Sequence, residues 1–362
     1  MNAADLMREA VAQGASDIHV APGAPPLLRV NGILMPLSNY AAFTSDQTRQ
    51  FILQLLTEEQ RARLAQDFVV DFSMTMGQTR YRGNALVQRN GLEVVLRLIP
   101  TQIPSPEELM FPPILTDLPN LKGGLVLVTG PTGAGKSTTL ACLIDMINQR
   151  RRGNIITIED PIEFLHANKN CNVSQREIGI HASSFGAALR PVMRQDPDVV
   201  MIGEMRDLET IAAAITVAET GHLVFATLHS ADCAQAIDRM IDVFEARQQQ
   251  QIRTQLACVL KAVISQSLLP RAGGGGRVAM REVMILTPAI SHLIRTGKTH
   301  EIYSAIEMGA REGMISAGRA LSDLAKNGLI DPLEAQVRKS GQHDLPPPKR
   351  RATDYMGPQS AA

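Results

Sequence analysis

The stretch "GLVLVTGPTGAGKSTT", Gly124 to Thr139, decides the fold. The branched, apolar run Leu125–Val128 reads as a buried strand. Gly130-Pro131-Thr132-Gly133-Ala134-Gly135 then turns the chain, and Lys136-Ser137-Thr138 opens a helical pattern. Strand, glycine turn and helix in that order are the context that makes G-x-x-x-x-G-K-S a phosphate loop. Glycine lets the backbone N–H groups curl inward on phosphate oxygens, and the helix adds the positive end of its dipole. Lys136 is expected at the β- and γ-phosphates and the Ser137 hydroxyl at Mg²⁺. ATP and Mg²⁺ are therefore the expected ligands, and Gly130 through Thr138 the expected nucleotide-binding residues.

Downstream, strand-like and helical runs alternate. "NIITIED", "DVVMIGE" and "LVFATLH" are short, branched and apolar, and between them lie "STTLACLIDMINQR", "SFGAALRPVMRQ" and "LETIAAAITVAET". Such alternation predicts an α/β domain with a mostly parallel sheet and helices on both faces. After Phe244 the pattern becomes helix-rich, with a hairpin or loop at Gly273–Gly276. Upstream, residues 1–99 mix short elements and read as an α+β domain, with hairpin signals at Asn31-Gly32 and Asn90-Gly91. Residues 100–121 are Pro-rich and read as an interdomain linker; 122–342 form the ATPase domain, and 343–362 a disordered tail.

In open α/β sheets, ligands sit outside the carboxyl ends of the strands. "NIITIED" ends in Glu159 and Asp160, with Glu163 just past Pro161. Pro161 suits a first helical position, so capping or support of neighbouring site residues is the expected role of Glu159 rather than direct catalysis, and Asp160 is open between the two. A helix there would project Glu163 inward as general base for an attacking water. "DVVMIGE" stands where a Walker B strand would, with Gly203 before Glu204, which leaves Glu204 to hold Mg²⁺. "LVFATLHS" ends in Thr227, His229 and Ser230, and His229 is placed to sense a γ-phosphate. His222 lies at the start of that strand and hence at the opposite edge.

Composition excludes some classes. Lys plus Arg and Asp plus Glu are each 36, with 4% aromatics and no Trp, which weighs against a nucleic-acid partner. No apolar run is long enough to cross a membrane, and the N-terminus lacks a basic segment followed by an apolar one. Cys142, Cys171, Cys233 and Cys258 show no CxxC spacing, as expected of reduced thiols in the cytoplasm.

Together "GPTGAGKSTT", "TIEDPIEFLH", "RQDPDVVMIGEMRD" and "TGHLVFATLHSADCAQAIDRMIDVF" resemble the boxes of the secretion-type ATPases of type IV pilus and type II secretion systems, in particular the pilus retraction ATPases. The resemblance runs from "ASDIHVAPGAPPLLRVNG" to "IYSAIEMGAREGM". It implies an N-terminal PAS-like domain, a RecA-like ATPase domain and a homohexamer on the inner face of the cytoplasmic membrane. An inner-membrane pilus platform protein and a second retraction ATPase are the implied partners. It assigns Glu163 as general base, Glu204 as Walker B carboxylate, His222 and His229 as the His-box pair, and Arg80, Arg82 and Arg97 as arginines that approach the phosphates. The absence of an extra N-terminal domain and of a tetracysteine motif points to the retraction branch. Two departures stand out. Pro191 interrupts a segment that is helical in the family. "AISHLIRT" (Ala289–Thr296) stands where retraction ATPases read close to AIRNLIRE, with Ser291, His292 and Thr296 at the Arg, Asn and final Glu positions.

Overall fold

The computed structural model describes residues 3–30, 32–77, 79–99, 102–274 and 276–339. The tail expected at 343–362 lies outside the described residues. By contacts the chain forms two compact units, one of residues 1–121 with 137–204, the other of 122–136 with 205 onward.

The N-terminal residues fold as α1 (Ala3–Ala12), β1 (Asp17–Val20), β2 (Leu27–Val30), β3 (Ile33–Pro36), α2 (Ser45–Leu55), α3 (Glu58–Asp67), β4 (Val69–Met76), β5 (Thr79–Gln88) and β6 (Gly91–Ile99). Both expected hairpins form. β2 pairs with β3 around Gly32, whose φ of +83° few residues but glycine adopt. β5 pairs with β6 through Arg89-Asn90, so Gly91 already belongs to the strand. Thr44 and Thr57 each close a capping box, with Gln47 and Gln60, and so fix the starts of α2 and α3. The six strands make one sheet, in the order β3-β2-β1-β6-β5-β4. Its core is built on Leu6, Ile18, Leu28, Ile52, Tyr81 and Leu96, all almost wholly buried.

The Pro-rich segment is ordered: Ser105 and Glu108 bond each other's backbone N–H, and α4 (Pro113–Asp117) buries Leu115. Then follow β7 (Gly124–Thr129), α5 (Lys136–Arg150), β8 (Asn154–Glu159), β9 (Asn172–Glu177), α6 (Phe185–Leu189), β10 (Val199–Ile202), α7 (Leu208–Glu219), β11 (Leu223–Leu228), α8 (Cys233–Asp242), α9 (Ala246–Val259), β12 (Leu260–Pro270) and β13 (Arg277–Ile285). The chain closes with α10 (Pro288–Thr296), α11 (Ile302–Met308), α12 (Ala317–Lys326) and α13 (Pro332–Lys339). A second sheet has the order β13-β12-β7-β11-β10-β8-β9. β12, β7 and β11 run parallel, as do β10, β8 and β9, while β12 and β13 form the antiparallel hairpin expected at the glycine run. β7 and β11 are buried along their whole length, which is why they read as unbroken apolar runs.

Two expectations change. No helix follows β8; residues 160–168 run as bends and coil, so there is no helix for Glu159 or Asp160 to cap, and Glu159 instead supports the coil by accepting the Glu163 N–H. The "SFGAALRPVMRQ" segment is only a five-residue helix, which ends before Pro191 and gives way to a 3₁₀ turn over Val192–Arg194. Proline cannot supply the donor that a longer helix needs there.

Phe225, fully buried in the middle of β11, tests this core. Phe225→Ala is expected to lower the unfolding free energy by about 3–5 kcal/mol, read as an earlier denaturant midpoint at unchanged slope.

Candidate active site

The phosphate loop is shaped by three glycines with left-handed backbone: Gly130, Gly133 and Gly135 have φ of +142°, +77° and +83°. At Gly130 a second constraint adds to the first, because a Cβ would sit 2.1 Å from the Gln266 carbonyl oxygen on β12. Gln266 is itself buried. Its Nε2 donates to the Ala134 carbonyl at 2.6 Å, and its Oε1 accepts from Arg281 Nε at 3.0 Å. β12 and β13 thus brace the loop from behind. The Gln266 and Arg281 contribution was invisible in the sequence, where nothing ties residues more than a hundred positions from the loop to it. Lys136 donates to the Gly130 and Pro131 carbonyls at 2.8 and 3.1 Å, so its ammonium is folded over the loop. Ser137 and Thr138 begin the first turn of α5.

β11 lies parallel to β7 in matched register, Leu223 opposite Gly124 and Leu228 opposite Thr129. His229 therefore follows β11 at the end where the phosphate loop follows β7. Its carbonyl accepts from Arg239 at 2.7 Å, and Ser230 is tied to Thr129 through Oγ1. An open cleft of about 470 Å³ beside it is lined by Met205, Arg206, His229, Ser230, Gln235 and Arg239, among others. His222 is not brought there. It precedes β11, with its Nδ1 beside Thr220 Oγ1 and the Val217 carbonyl, one strand length away.

The acids after β8 sort by burial. Glu159 is 6% exposed. Its carboxylate accepts from Thr157 Oγ1 at 2.7 Å, Gln175 Nε2 at 3.1 Å and the Glu163 backbone N–H at 3.4 Å. Burial outweighs these hydrogen bonds and pushes its pKa up to about 7. Glu163 is exposed, on the coil that replaces the expected helix. Gly203, where the simplest Walker B strand has an acid, packs against β8: a Cβ there would stand 3.2 Å from Glu159 Cα and from the Ile158 carbonyl. The close β8–β10 approach thus leaves little room for a side chain at Gly203. Glu204 follows, half-buried.

The three arginines differ. Arg80 on β5 is 14% exposed, its guanidinium 2.6 Å from Glu177 Oε2 at the end of β9. Arg97 on β6 pairs with buried Asp17 at 2.9 Å, yet its side chain stays 66% exposed. Burial raises the Asp17 pKa, but hydrogen bonds from Ser16 and Arg97 and the Arg97 charge outweigh it and hold the carboxyl below its usual value. Arg82, exposed, stands directly opposite Arg97 across β5 and β6. Arg82 and Arg97 thus stand side by side and exposed, with Arg97 also paired to Asp17, whereas Arg80 is largely buried in its pair with Glu177.

The model of the type II/IV secretion system protein family matches residues 2–327. The chain belongs to that family. The type IV pilus retractation ATPase PilT of Pseudomonas aeruginosa is 44% identical over 331 residues, 91% of this chain and 96% of its own. The type IV pilus ATPase PilU of the same organism is 41% identical over 341 residues, 94% of this chain and 89% of its own. A crystal structure of the pilus retraction motor PilT with bound ADP matches with a TM-score of 0.87 at 42% identity, covering 92% of this chain and 96% of that one.

Ser291 is 8% exposed, donates to the Ala257 carbonyl on α9 at 3.0 Å and accepts from Arg295 at 3.0 Å. It seats α10 on α9. His292 and Thr296 are exposed.

The raised Glu159 pKa has a pH consequence. A carboxyl lifted from 4.5 to about 7 by folding stabilises the protein fully below about pH 4.5, and that stabilisation is lost as pH rises through about 7. Glu159→Gln, which carries no charge to bury, should match wild type near pH 4.5. It should gain over it up to pH 8, by at most about 3 kcal/mol. Denaturation midpoints at the two pH values measure this; a gap that does not change with pH contradicts it.

Proposed function

We propose that this chain is the ATP-hydrolysing motor of type IV pilus retraction. The observation that carries the reading is the phosphate loop, with left-handed glycines at Gly130, Gly133 and Gly135 and Lys136 folded over it at the head of α5. It rests on the family as well, and on relatives named for pilus retraction that match nearly end to end.

In this reading Lys136 leaves the Gly130 and Pro131 carbonyls to hold the β- and γ-phosphates, while Gly133, Ala134 and Gly135 present their backbone N–H groups to phosphate oxygens. Ser137 and Glu204 offer the hard oxygen ligands that Mg²⁺ takes, and an ion that keeps several waters and binds phosphate needs no closed protein cage. Among the described residues no cluster of three or more His, Cys, Asp or Glu forms such a cage. Mg²⁺, when bound, neutralises charge developing on the phosphate oxygens. Glu163, exposed on the coil, takes the proton of the attacking water. Arg82 and Arg97 close on the phosphates, and His229 reads the γ-phosphate. Arg80 supports them from its pair with Glu177, and His222 acts with His229 only as the family's pair.

The architecture proposed for this cycle is a PAS-like N-terminal domain over 1–99, a linker over 100–121 and a RecA-like domain over 122–342, assembled as a homohexamer. Rigid-body motion of the domains during turnover would move a pilus platform protein at the inner face of the cytoplasmic membrane. Among the described residues no helix is long and apolar enough to cross a membrane, so attachment would be peripheral. A balance of 36 basic and 36 acidic residues supports a motor that does not act on nucleic acid.

A second reading, an accessory ATPase working beside a principal motor, is favoured by α10. Ser291, His292 and Thr296 stand where retraction ATPases read Arg, Asn and Glu, and the PilU relative is nearly as similar as PilT.

Purified full-length chain should hydrolyse ATP only with Mg²⁺. Lys136→Ala should abolish turnover, and Glu163→Gln should lower kcat by about 100-fold or more while nucleotide binding persists. Wild-type turnover in Glu163→Gln would remove it as the base; turnover without Mg²⁺ would sink the mechanism.

A further inference from the structure

Glu177, the last residue of β9, enters the mechanism above only as the partner of Arg80, yet it is 3% exposed and holds three donors. Oε1 accepts from Ser73 Oγ of β4 at 2.6 Å. Oε2 accepts from Arg80 Nη2 of β5 at 2.6 Å and from the backbone N–H of Ile162 at 3.2 Å. One carboxylate oxygen therefore joins the N-terminal sheet to the coil that bears Glu163.

The rest of that coil is held from the same two strands. Glu159 of β8 accepts the Glu163 N–H at 3.4 Å. Gln175 of β9 donates to the Phe164 carbonyl at 2.8 Å and accepts the His166 N–H at 2.9 Å. The backbone at 162, 163, 164 and 166 is thus bonded to side chains of β8 and β9. Of these side chains, Glu177 is the one that also bonds the N-terminal sheet.

We propose that Glu177 is a positioning residue: held by Arg80 and Ser73, it fixes the coil at Ile162 and so sets where Glu163 stands. The inference rests on Glu163 being the base. It gives Arg80 a role that needs no contact with phosphate: Arg80 orients the carboxylate that orients the coil. It also makes the N-terminal sheet a participant in hydrolysis, since a displacement of β5 would pull on the same oxygen that holds Ile162. A buried carboxylate with an ion pair and two further donors is suited to this, because any lost partner leaves the others misdirected.

The test uses the full-length chain with Glu177→Gln, Arg80→Gln, the double variant, and Ser73→Ala as a milder loosening of the same carboxylate. Expected in Glu177→Gln and Arg80→Gln is a kcat about ten- to a hundredfold lower with the KM for MgATP little changed. Faster deuterium exchange over residues 160–166 should accompany it. The double variant should fall no further than the worse single variant, because both act through one contact. Ser73→Ala should raise exchange over the same residues, and it carries the test if Glu177→Gln does not fold. Unchanged exchange over 160–166 in all of these variants overturns the proposal, as does a raised KM at normal kcat. Glu163→Gln assayed alongside separates the two ideas: normal turnover there removes the base, while the exchange data still decide whether Glu177 holds the coil.

Discussion

The phosphate edge depends on the close approach of Gly130 to the Gln266 carbonyl. β12 runs parallel to β7 from Leu260 to Ser265, and the next residue meets the loop just as it leaves β7. No side chain fits at Gly130, since its Cβ would be 2.1 Å from that oxygen. Glycine therefore lets the strand end and the turn begin at the same point. The Gln266 side chain then reaches round to the Ala134 carbonyl, and Arg281 fixes the amide from β13. A loop with few side chains of its own is thus braced by two strands.

The acidic stretch after β8 is organised by the opposite means. It is neither helix nor strand, and its backbone groups are satisfied by side chains instead of a repeating ladder. Glu159 is buried to serve as acceptor, and burial pushes its pKa up to about 7. Glu163, four residues on, is left exposed. Two acids four residues apart are thus placed differently: one organises the coil, and the other faces solvent.

What the sequence made legible was what local pattern encodes. β7, β10 and β11 are apolar runs buried throughout, and the hairpins at Gly32 and at the Gly273–Gly276 run follow from glycine's backbone freedom. β9, "NVSQRE", escaped notice because it carries the polar side chains that grip the coil and shows no apolar run. The helix expected after Pro161 does not form, and the coil there is bonded instead to the side chains of Glu159, Gln175 and Glu177; two of these three lie on β9, outside any local window around Pro161. Arg80 reads locally as a strand charge; its partner is 97 residues away. The polar residues at the strand ends were legible by type and position, whereas side chains that bond the loops beside them, such as Gln266, Arg281 and Glu177, were not.

The most direct measurement of the central claim is deletion of the gene in its host, complemented with wild type or with the hydrolysis-deficient Lys136→Ala chain. Surface pili and surface motility are then counted. A principal retraction motor predicts excess pili without movement in the deletion, restored only by the wild-type chain. Normal pilus number and normal movement in the deletion would contradict it.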